Sequence, residues 1–230
     1  MLGIIGAMPE EVAELIEGMK EERTETKAGM LFHAGTLDGE PAVIVKSGVG
    51  KVNAGICAQI LVDDFHVTGL INTGIAGSLD ASIDIGDIVV SSDALYYDVE
   101  ATVWGYRPGE IPQLGTREFT ADKAMVRRAK QACRTAVPDI GVHSGRIASG
   151  DSFISDRVKK EWIRETFGAS CAEMEGAAIA QTAWLNGVPF VILRAISDKA
   201  DGSATMDYDV FEKKAIDHLV RSVREFCRTR

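Results

Sequence analysis

Five continuous runs of apolar residues, spread along a chain of 230 residues, constrain the fold most strongly. Strands that alternate apolar and polar residues have one face in water, whereas continuous apolar runs are typical of strands covered on both faces by helices. The runs are residues 2–7, 42–47, 67–73, 85–91 and 188–196. More amphipathic strands are expected at 30–37 and 140–148.

Segments with helical spacing lie between these runs. The first helix is expected to begin near Pro9, because proline is tolerated at the first helical position. Other helices are expected at 51–64, 121–136, 155–166, 173–186 and 209–227. Alternating strands and helices predict an α/β fold of three layers, with a central sheet flanked by helices. Since no linker or repeat interrupts the pattern, we expect a single domain over residues 1–230.

Charge and cysteine usage exclude several classes of function. The net charge is −9, from 34 acidic against 25 basic residues, and this charge disfavours binding to nucleic acid or to an anionic membrane. No CxxC pair occurs, so neither a zinc site nor a redox motif is indicated. The chain shows no leader pattern and no apolar run of membrane-spanning length, and we expect a cytoplasmic protein.

Glu11 is the first candidate for chemistry. A helix that begins at Pro9 turns Glu11 to the same face as the apolar residues Leu15 and Met19. A carboxylate on an apolar face needs compensation or a raised pKa. The alternative is a first-turn acid that only complements the helix dipole, and the sequence leaves both explanations open.

The last apolar strand runs directly into Arg194, Ser197 and Asp198. Ligands of open α/β sheets bind beyond the carboxyl ends of the strands, so this position favours a functional site over a salt-bridged strand end. Residues 171–180 contain two acids at the start of a Gly/Ala-rich helix, and the residues alone favour a structural role for each of them slightly over a functional one. Glycine-rich turns at 47–51 and 72–77 follow strands and offer backbone N–H groups to a ligand.

Six segments in register resemble one family, the 5′-methylthioadenosine/S-adenosylhomocysteine nucleosidases within the purine nucleoside phosphorylase superfamily. They are GIIGAMPEE at 3–11, KSGVGKVNA at 46–54, INTGIAG at 71–77, ASGDSFI at 148–154, AEMEGAAIA at 172–180 and VILRAISDKAD at 191–201. The resemblance implies a mixed, twisted central sheet flanked by helices. It also implies hydrolysis of the bond between adenine and ribose in 5′-thioadenosine nucleosides.

The resemblance implies two catalytic residues. Glu11 is similar to the general base that activates the attacking water, and Asp198 is similar to the acid that protonates adenine N7. Ser197 matches a residue that positions the aspartate. Acting as an acid near neutrality requires a protonated carboxyl, which burial at the strand end favours.

Other implied roles concern substrate binding. Glu175 and the main chain at Met174 resemble groups that hold the ribose hydroxyls, and Arg194 resembles a supporting arginine near Glu175. Phe153 resembles an aromatic residue that stacks on the base, with Ile154 contacting the adenine edge.

The remaining implied residues surround the 5′ substituent. Met8, Val49 and Tyr208 align with an apolar lining. Trp104 and Tyr106 resemble residues that reach across a two-fold interface, so a homodimer is expected. No metal and no organic cofactor is expected, since water and carboxylates suffice for the reaction.

The pattern departs from the family at Ile75, where serine is common, and three alternatives remain open. A purine nucleoside phosphorylase needs cations for phosphate, often an arginine where this chain has Asn72, and here Lys46 and Lys51 are the candidates. A futalosine-type nucleosidase shares the carboxylates and differs at the 5′ pocket. A non-catalytic nucleoside-binding protein shares the fold alone.

Overall fold

A ten-stranded sheet is the centre of the computed structural model, which describes residues 1–198 and 208–229 and only the main chain of 208–211. The described strands are β1 (Leu2–Gly6), β2 (Lys20–Lys27), β3 (Met30–Leu37), β4 (Glu40–Lys46), β5 (Gly69–Ser78), β6 (Ile88–Tyr96), β7 (Phe119–Thr120), β8 (Val142–Ser149), β9 (Cys171–Glu173) and β10 (Phe190–Asp198). The described helices are α1 (Pro9–Glu17), α2 (Lys51–Asp63), α3 (Lys123–Ala136), α4 (Arg157–Phe167), α5 (Gly176–Asn186) and α6 (Tyr208–Arg228), with a 3-10 turn at Thr102–Trp104.

Four neighbouring strands, in the order β4-β1-β5-β10, run parallel. All four are buried and rich in branched apolar residues, as their continuous apolar sequences predict. In the β5–β10 pair, Gly74 lies opposite Arg194 and Gly77 lies opposite Asp198. The carboxyl ends of these two strands therefore meet at one edge of the sheet.

The sheet also closes on itself in part. β10 pairs antiparallel with β6, β6 and β9 each pair parallel with β8, and β9 pairs antiparallel with the end of β5. Because β5 also pairs with β10, these five strands form a closed circuit, from which β1, β4, β3 and β2 extend. The predicted mixed sheet flanked by helices is confirmed. The closure was not predicted, since apolar periodicity does not specify strand partners.

Three strands lie where the sequence pattern did not predict them: β2, β9 and the two-residue strand β7. β2, with the sequence KEERTETK, is mostly exposed and forms the edge of the sheet, where charges discourage pairing with another chain. It is held by a hairpin to β3 through Ala28 and Gly29, both with positive φ. β9 occupies residues 171–173, so the predicted helix 173–186 instead begins at Gly176.

The helices cover both faces of the sheet. α1, α3 and α6 bury their apolar faces in one core cluster, α2 and α5 pack in a second, and α4 closes a third with Ile163 and Phe167. On α1, Glu11, Val12 and Leu15 are buried, as the helical spacing predicts. Among residues 1–198 and 208–229, no helix is both long and apolar enough to cross a bilayer.

Replacing Leu15 tests whether α1 is anchored by its apolar face. Leu15 is fully buried, so Leu15→Ala removes apolar contacts and leaves a cavity. We expect the free energy of unfolding to fall by about 2–5 kcal/mol, measured by chemical denaturation. The matched control is Glu17→Ala on the exposed face of α1, expected to change it by less than about 0.5 kcal/mol. Equal effects of the two variants on the free energy of unfolding would contradict the burial of Leu15 between α1 and the sheet.

Candidate active site

Two adjoining cavities lie at the edge where the strands end. The larger has a volume of about 130 Å³ and the smaller about 40 Å³. Residues shared by both linings are Gly77, Phe153, Ala172, Glu173, Met174 and Asp198. The larger cavity also contacts Glu11 and Glu175, and the smaller contacts Lys160. One continuous site therefore brings together carboxylates from α1, β9 and β10 and from the residue that precedes α5.

Glu11 is buried and accepts three main-chain hydrogen bonds. Its Oε2 accepts from Ala7 N at 2.6 Å and from Met8 N at 2.9 Å, and its Oε1 accepts from Ile75 N at 3.1 Å. Burial raises the pKa of Glu11, although the Arg194 charge and these N–H groups oppose that rise. The carboxylate therefore caps the N-terminus of α1, which is the structural role that the sequence left open. It also lines the cavity, where a chemical role would require it to be.

Gly74 allows Glu11 and Arg194 to approach each other. A Cβ atom at residue 74 would overlap Arg194 Nη1 and would lie 2.5 Å from Glu11 Oε1. Such distances are shorter than any contact that a methyl group tolerates. This glycine within β5 is thus required by the close approach of two buried charged groups.

Arg194 is fully buried and joins several polar groups. Its Nη2 donates to Glu173 Oε2 and, at 2.5 Å, to Asn72 Oδ1. Glu175 Oε2 lies 3.9 Å from the same nitrogen. The contact through which Arg194 was expected to support Glu175 is therefore too long for a hydrogen bond. The carboxylate that Arg194 bonds directly is Glu173, to which the sequence assigned no role. The sequence did contain one indication, because Glu173 precedes Glu175 by two residues in an apolar segment.

Glu173 in turn organises the start of α5. Its Oε2 accepts from Gly176 N at 2.7 Å and from Glu175 N at 3.1 Å, and its Oε1 accepts from Ser149 Oγ. These bonds satisfy N–H groups that a helix N-terminus leaves without an intrahelical partner. Glu173 thus fixes the main chain that carries Glu175 into the cavity.

Glu175 is buried at the N-cap of α5, with Oε1 accepting from Gly50 N at 2.8 Å. Gly50 has φ of +99°, a conformation that favours glycine, so the turn after β4 is shaped to direct this N–H. Burial, together with the nearby Glu173 charge, raises the pKa of Glu175 to about 7. Its charge therefore changes near neutral pH.

Asp198 is buried at the end of β10 and has a cationic partner that the sequence analysis did not single out. Ser197 Oγ donates to Asp198 Oδ1 at 3.2 Å, and Lys160 Nζ lies 2.6 Å from Oδ2. Lys160 shares the inward face of α4 with Ile163 and Phe167, a helical spacing of the kind that predicted the burial of Glu11. Asp198 is therefore ion-paired inside the site.

The structure brings most of the other predicted residues to the two cavities. Met8 and Val49 line the larger one, Ile154 lines the smaller one, and Phe153 and Met174 line both; 70% of Phe153 is exposed. Trp104 is 74% exposed, Tyr106 is half-buried, and neither lines these cavities. The side chain of Tyr208 lies outside the described residues.

Replacing Glu175 by glutamine is expected to stabilise the protein in a pH-dependent way. The folded protein binds a proton at Glu175 more tightly than the unfolded chain, so wild-type stability falls as pH rises from about 4.5 to about 7. Glu175→Gln removes that fall and keeps the bond from Gly50. We expect a gain of up to about 3 kcal/mol at about pH 8 that nearly vanishes at about pH 5, measured by denaturation.

The control for this measurement is Glu10→Gln on the exposed face of α1, expected to have little effect at either pH. A difference between Glu175→Gln and wild type that is the same at both pH values would contradict the raised pKa.

Comparison with known proteins identifies the family. The family model of the phosphorylase superfamily matches residues 1–228. A 5′-methylthioadenosine/S-adenosylhomocysteine nucleosidase of Geobacillus thermodenitrificans is 44% identical over 221 residues, covering 96% of this chain and 93% of the relative. The Neisseria meningitidis nucleosidase of the same name, solved in complex with methylthio-immucillin-A, is 36% identical with a TM-score of 0.94, covering 100% of this chain and 99% of that chain. A futalosine hydrolase of Helicobacter pylori is 30% identical with a TM-score of 0.90, covering 98% of this chain and 96% of that chain. The chain therefore belongs to the 5′-methylthioadenosine/S-adenosylhomocysteine nucleosidases of the phosphorylase superfamily.

Proposed function

We propose that this protein hydrolyses the N-glycosidic bond of 5′-methylthioadenosine and S-adenosylhomocysteine, releasing adenine and the 5′-thioribose product. The observation that carries the proposal is the convergence of Glu11, Glu175 and Asp198 on one continuous site. Glu11 lines only the larger cavity, whereas Asp198 lines both cavities. This reaction needs a base for water and an acid for the purine. Carboxylates in two different settings supply both functions.

Glu11 activates the water. Its raised pKa makes it a stronger base than an exposed glutamate, while the N–H groups of Ala7, Met8 and Ile75 fix its orientation. Ile75 contributes its main-chain N–H to this arrangement. The serine common at this position in the family is therefore not needed to hold Glu11.

Glu175 binds the ribose and favours its transition state. An ionised carboxylate accepts hydrogen bonds from the 2′ and 3′ hydroxyls, and its charge stabilises the cationic, oxocarbenium-like sugar that forms as the bond breaks. The main chain of Met174 lies beside it, and Arg194 acts through Glu173 rather than by touching the sugar.

Asp198 assists departure of the base. The purine occupies the region of the smaller cavity, where Phe153 stacks on it and Ile154 contacts its edge. Asp198 passes a proton to N7, and Ser197 orients the carboxyl through Oδ1. Protonation at N7 allows adenine to leave as a neutral molecule.

The 5′ end of the larger cavity favours a thioether. Met8, Val49 and Ile75 present apolar atoms there, which suit an alkylthio group better than the polar substituent of futalosine. The lower identity to the futalosine hydrolase, 30% against 44% for the nucleosidase, agrees with this preference.

The charges around the site favour water over phosphate as the nucleophile. Among the described residues, four carboxylates, from Glu11, Glu173, Glu175 and Asp198, face the two buried cations Arg194 and Lys160. Asn72 accepts a hydrogen bond from Arg194, and Lys51 is paired with Asp98 at 2.6 Å and with Asp151 at 3.4 Å. A phosphate anion would therefore meet an excess of negative charge.

The function is tested by measuring adenine release with and without inorganic phosphate. We expect release from methylthioadenosine at the same rate in both conditions, and Glu11→Gln is expected to lower kcat by about 10²–10⁴-fold because it removes the base. Glu10→Gln on the same helix is the control. Strict dependence on phosphate, with a ribose 1-phosphate as the sugar product, would identify a phosphorylase. Faster cleavage of futalosine than of methylthioadenosine would reassign the substrate.

In this proposal the chain folds as a single domain, and two copies of it form a homodimer in the cytoplasm. Apolar side chains are exposed on α2, on α5 and on the 3-10 turn; they are Val52, Ile56, Trp184, Leu185, Val103 and Trp104. A second copy of the chain covers α2 and brings its Trp104 and Tyr106 to the neighbouring site. The four free, buried cysteine thiols are consistent with a reducing compartment.

The dimer is tested by sedimentation of Val52→Glu. A buried, unpaired carboxylate at a dimer interface is costly, so we expect this variant to sediment as a monomer and to lose activity. The matched control is Val158→Glu on α4, because Val52 and Val158 are both 72% exposed in one chain. A monomeric wild-type protein with full activity would contradict the proposal.

A further inference from the structure

A buried ion pair faces the purine side of the site. Lys160 and Asp198 are 4% and 5% exposed, and Lys160 Nζ lies 2.6 Å from Asp198 Oδ2. Both residues line the smaller cavity. Lys160 is held there by α4, whose N-terminus is capped by Asp156 and whose inward face packs through Ile163 and Phe167. Its ammonium is therefore fixed within hydrogen-bonding distance of the proposed acid.

In the part of the chain that the structure describes, the other charges near this pair have their own partners. Among the described residues that line the smaller cavity, Glu173 is the remaining charged group, and it is bonded to Arg194 and Ser149. On α4, Arg157 pairs with Glu161 at 3.0 Å, while Lys159 lies over the rings of Trp162 and Tyr97. Within the described residues, the carboxylate in contact with Lys160 is thus Asp198.

This arrangement raises a chemical problem for the proposed reaction. A carboxylate that is ion-paired with an ammonium has no proton of its own to give to N7. The proton is nevertheless present, on Nζ. A charged pair and a neutral amine–acid pair differ only by the position of that proton along one short hydrogen bond. Exclusion of water by a bound purine disfavours the charged pair.

We propose that Lys160 stores the proton that Asp198 passes to N7 of the departing purine, so that the acid of this site is a lysine–aspartate pair. The inference rests on the proposed function. As the N9–C1′ bond breaks, its electron pair passes into the purine, and the proton moves from Nζ through the Asp198 carboxyl to N7. This step leaves a neutral amine, an Asp198 carboxylate and neutral adenine.

The other half of the reaction balances this transfer. Water forms the new C1′–O bond and loses one proton to Glu11. Glu11 gains one proton and Lys160 loses one, so the total charge of the site is unchanged. Exchange with solvent then returns the proton from Glu11 to Lys160 after the products leave.

The test compares pH profiles of kcat for wild type, Lys160→Met and Lys160→Arg with methylthioadenosine as substrate. Methionine is close to lysine in length but carries no transferable proton, so in this variant only a protonated Asp198 can supply a proton to N7. We expect kcat of Lys160→Met at about pH 8 to be about 10²–10⁴-fold below wild type, and the gap to close as pH falls to about 5. Arginine keeps the charge but does not release a proton, so Lys160→Arg should be slow across this range.

Lys159→Met is the control, since it removes a half-buried lysine from the preceding position of α4, outside both cavities, and should follow the wild-type profile. Wild-type rates in Lys160→Arg, or a pH-independent factor between Lys160→Met and wild type, would overturn the inference. If the methionine variant does not fold, the arginine variant decides alone. A wild-type protein that releases no adenine would instead overturn the proposed function.

Discussion

The structure depends on the compensation of acidic side chains that are buried together at one edge of the sheet. A carboxylate removed from water is costly unless it is paired or hydrogen-bonded. Arg194 provides that pairing from β10, through its bond to Glu173 and through its charge, which opposes the rise in the pKa of Glu11 caused by burial. Lys160 serves Asp198 at the other end of the site. Loss of either cation would leave a buried charge without compensation.

The register of the strands makes this concentration of charge possible. The parallel pairing of β5 with β10 brings Gly74 opposite Arg194 and Gly77 opposite Asp198. Neither glycine has a Cβ, so Glu11 and Asp198 can approach the main chain closely. A Cβ at residue 74 would overlap Glu11 and Arg194, and a Cβ at residue 77 would lie 3.0 Å from Asp198 Oδ1, so that the carboxyl would have to shift. The closed circuit of five strands fixes this register, because a slip in one pair would disturb every other pair in the circuit.

Stability and chemistry oppose each other at these residues. Burial raises the pKa of Glu11 and of Glu175, which means that their ionised forms reduce the stability of the folded protein. In the proposed reaction, the same desolvation makes Glu11 a stronger base and strengthens the electrostatic stabilisation of the charge that develops on the sugar. The extensive apolar core between the helices and the sheet offsets this cost.

The sequence by itself determined the order of the buried strands, the faces of the helices and several residues of the site. Glu11 on the inward face of α1, and Arg194, Ser197 and Asp198 after an apolar strand, followed from patterns within about ten residues, since periodicity is a local property. Resemblance to a family then supplied the proposed roles, which geometry alone does not assign.

Only the tertiary structure decided which of these residues meet. The contacts of Lys160 with Asp198 and of Arg194 with Glu173 and Asn72 join positions 38, 21 and 122 residues apart. The charged edge strand β2 exists because β3 offers it partners, and β9 exists because it joins the ends of β5 and β8. Pairing between distant segments depends on how strands are arranged in space, and a local pattern of apolar and polar residues carries no record of that arrangement.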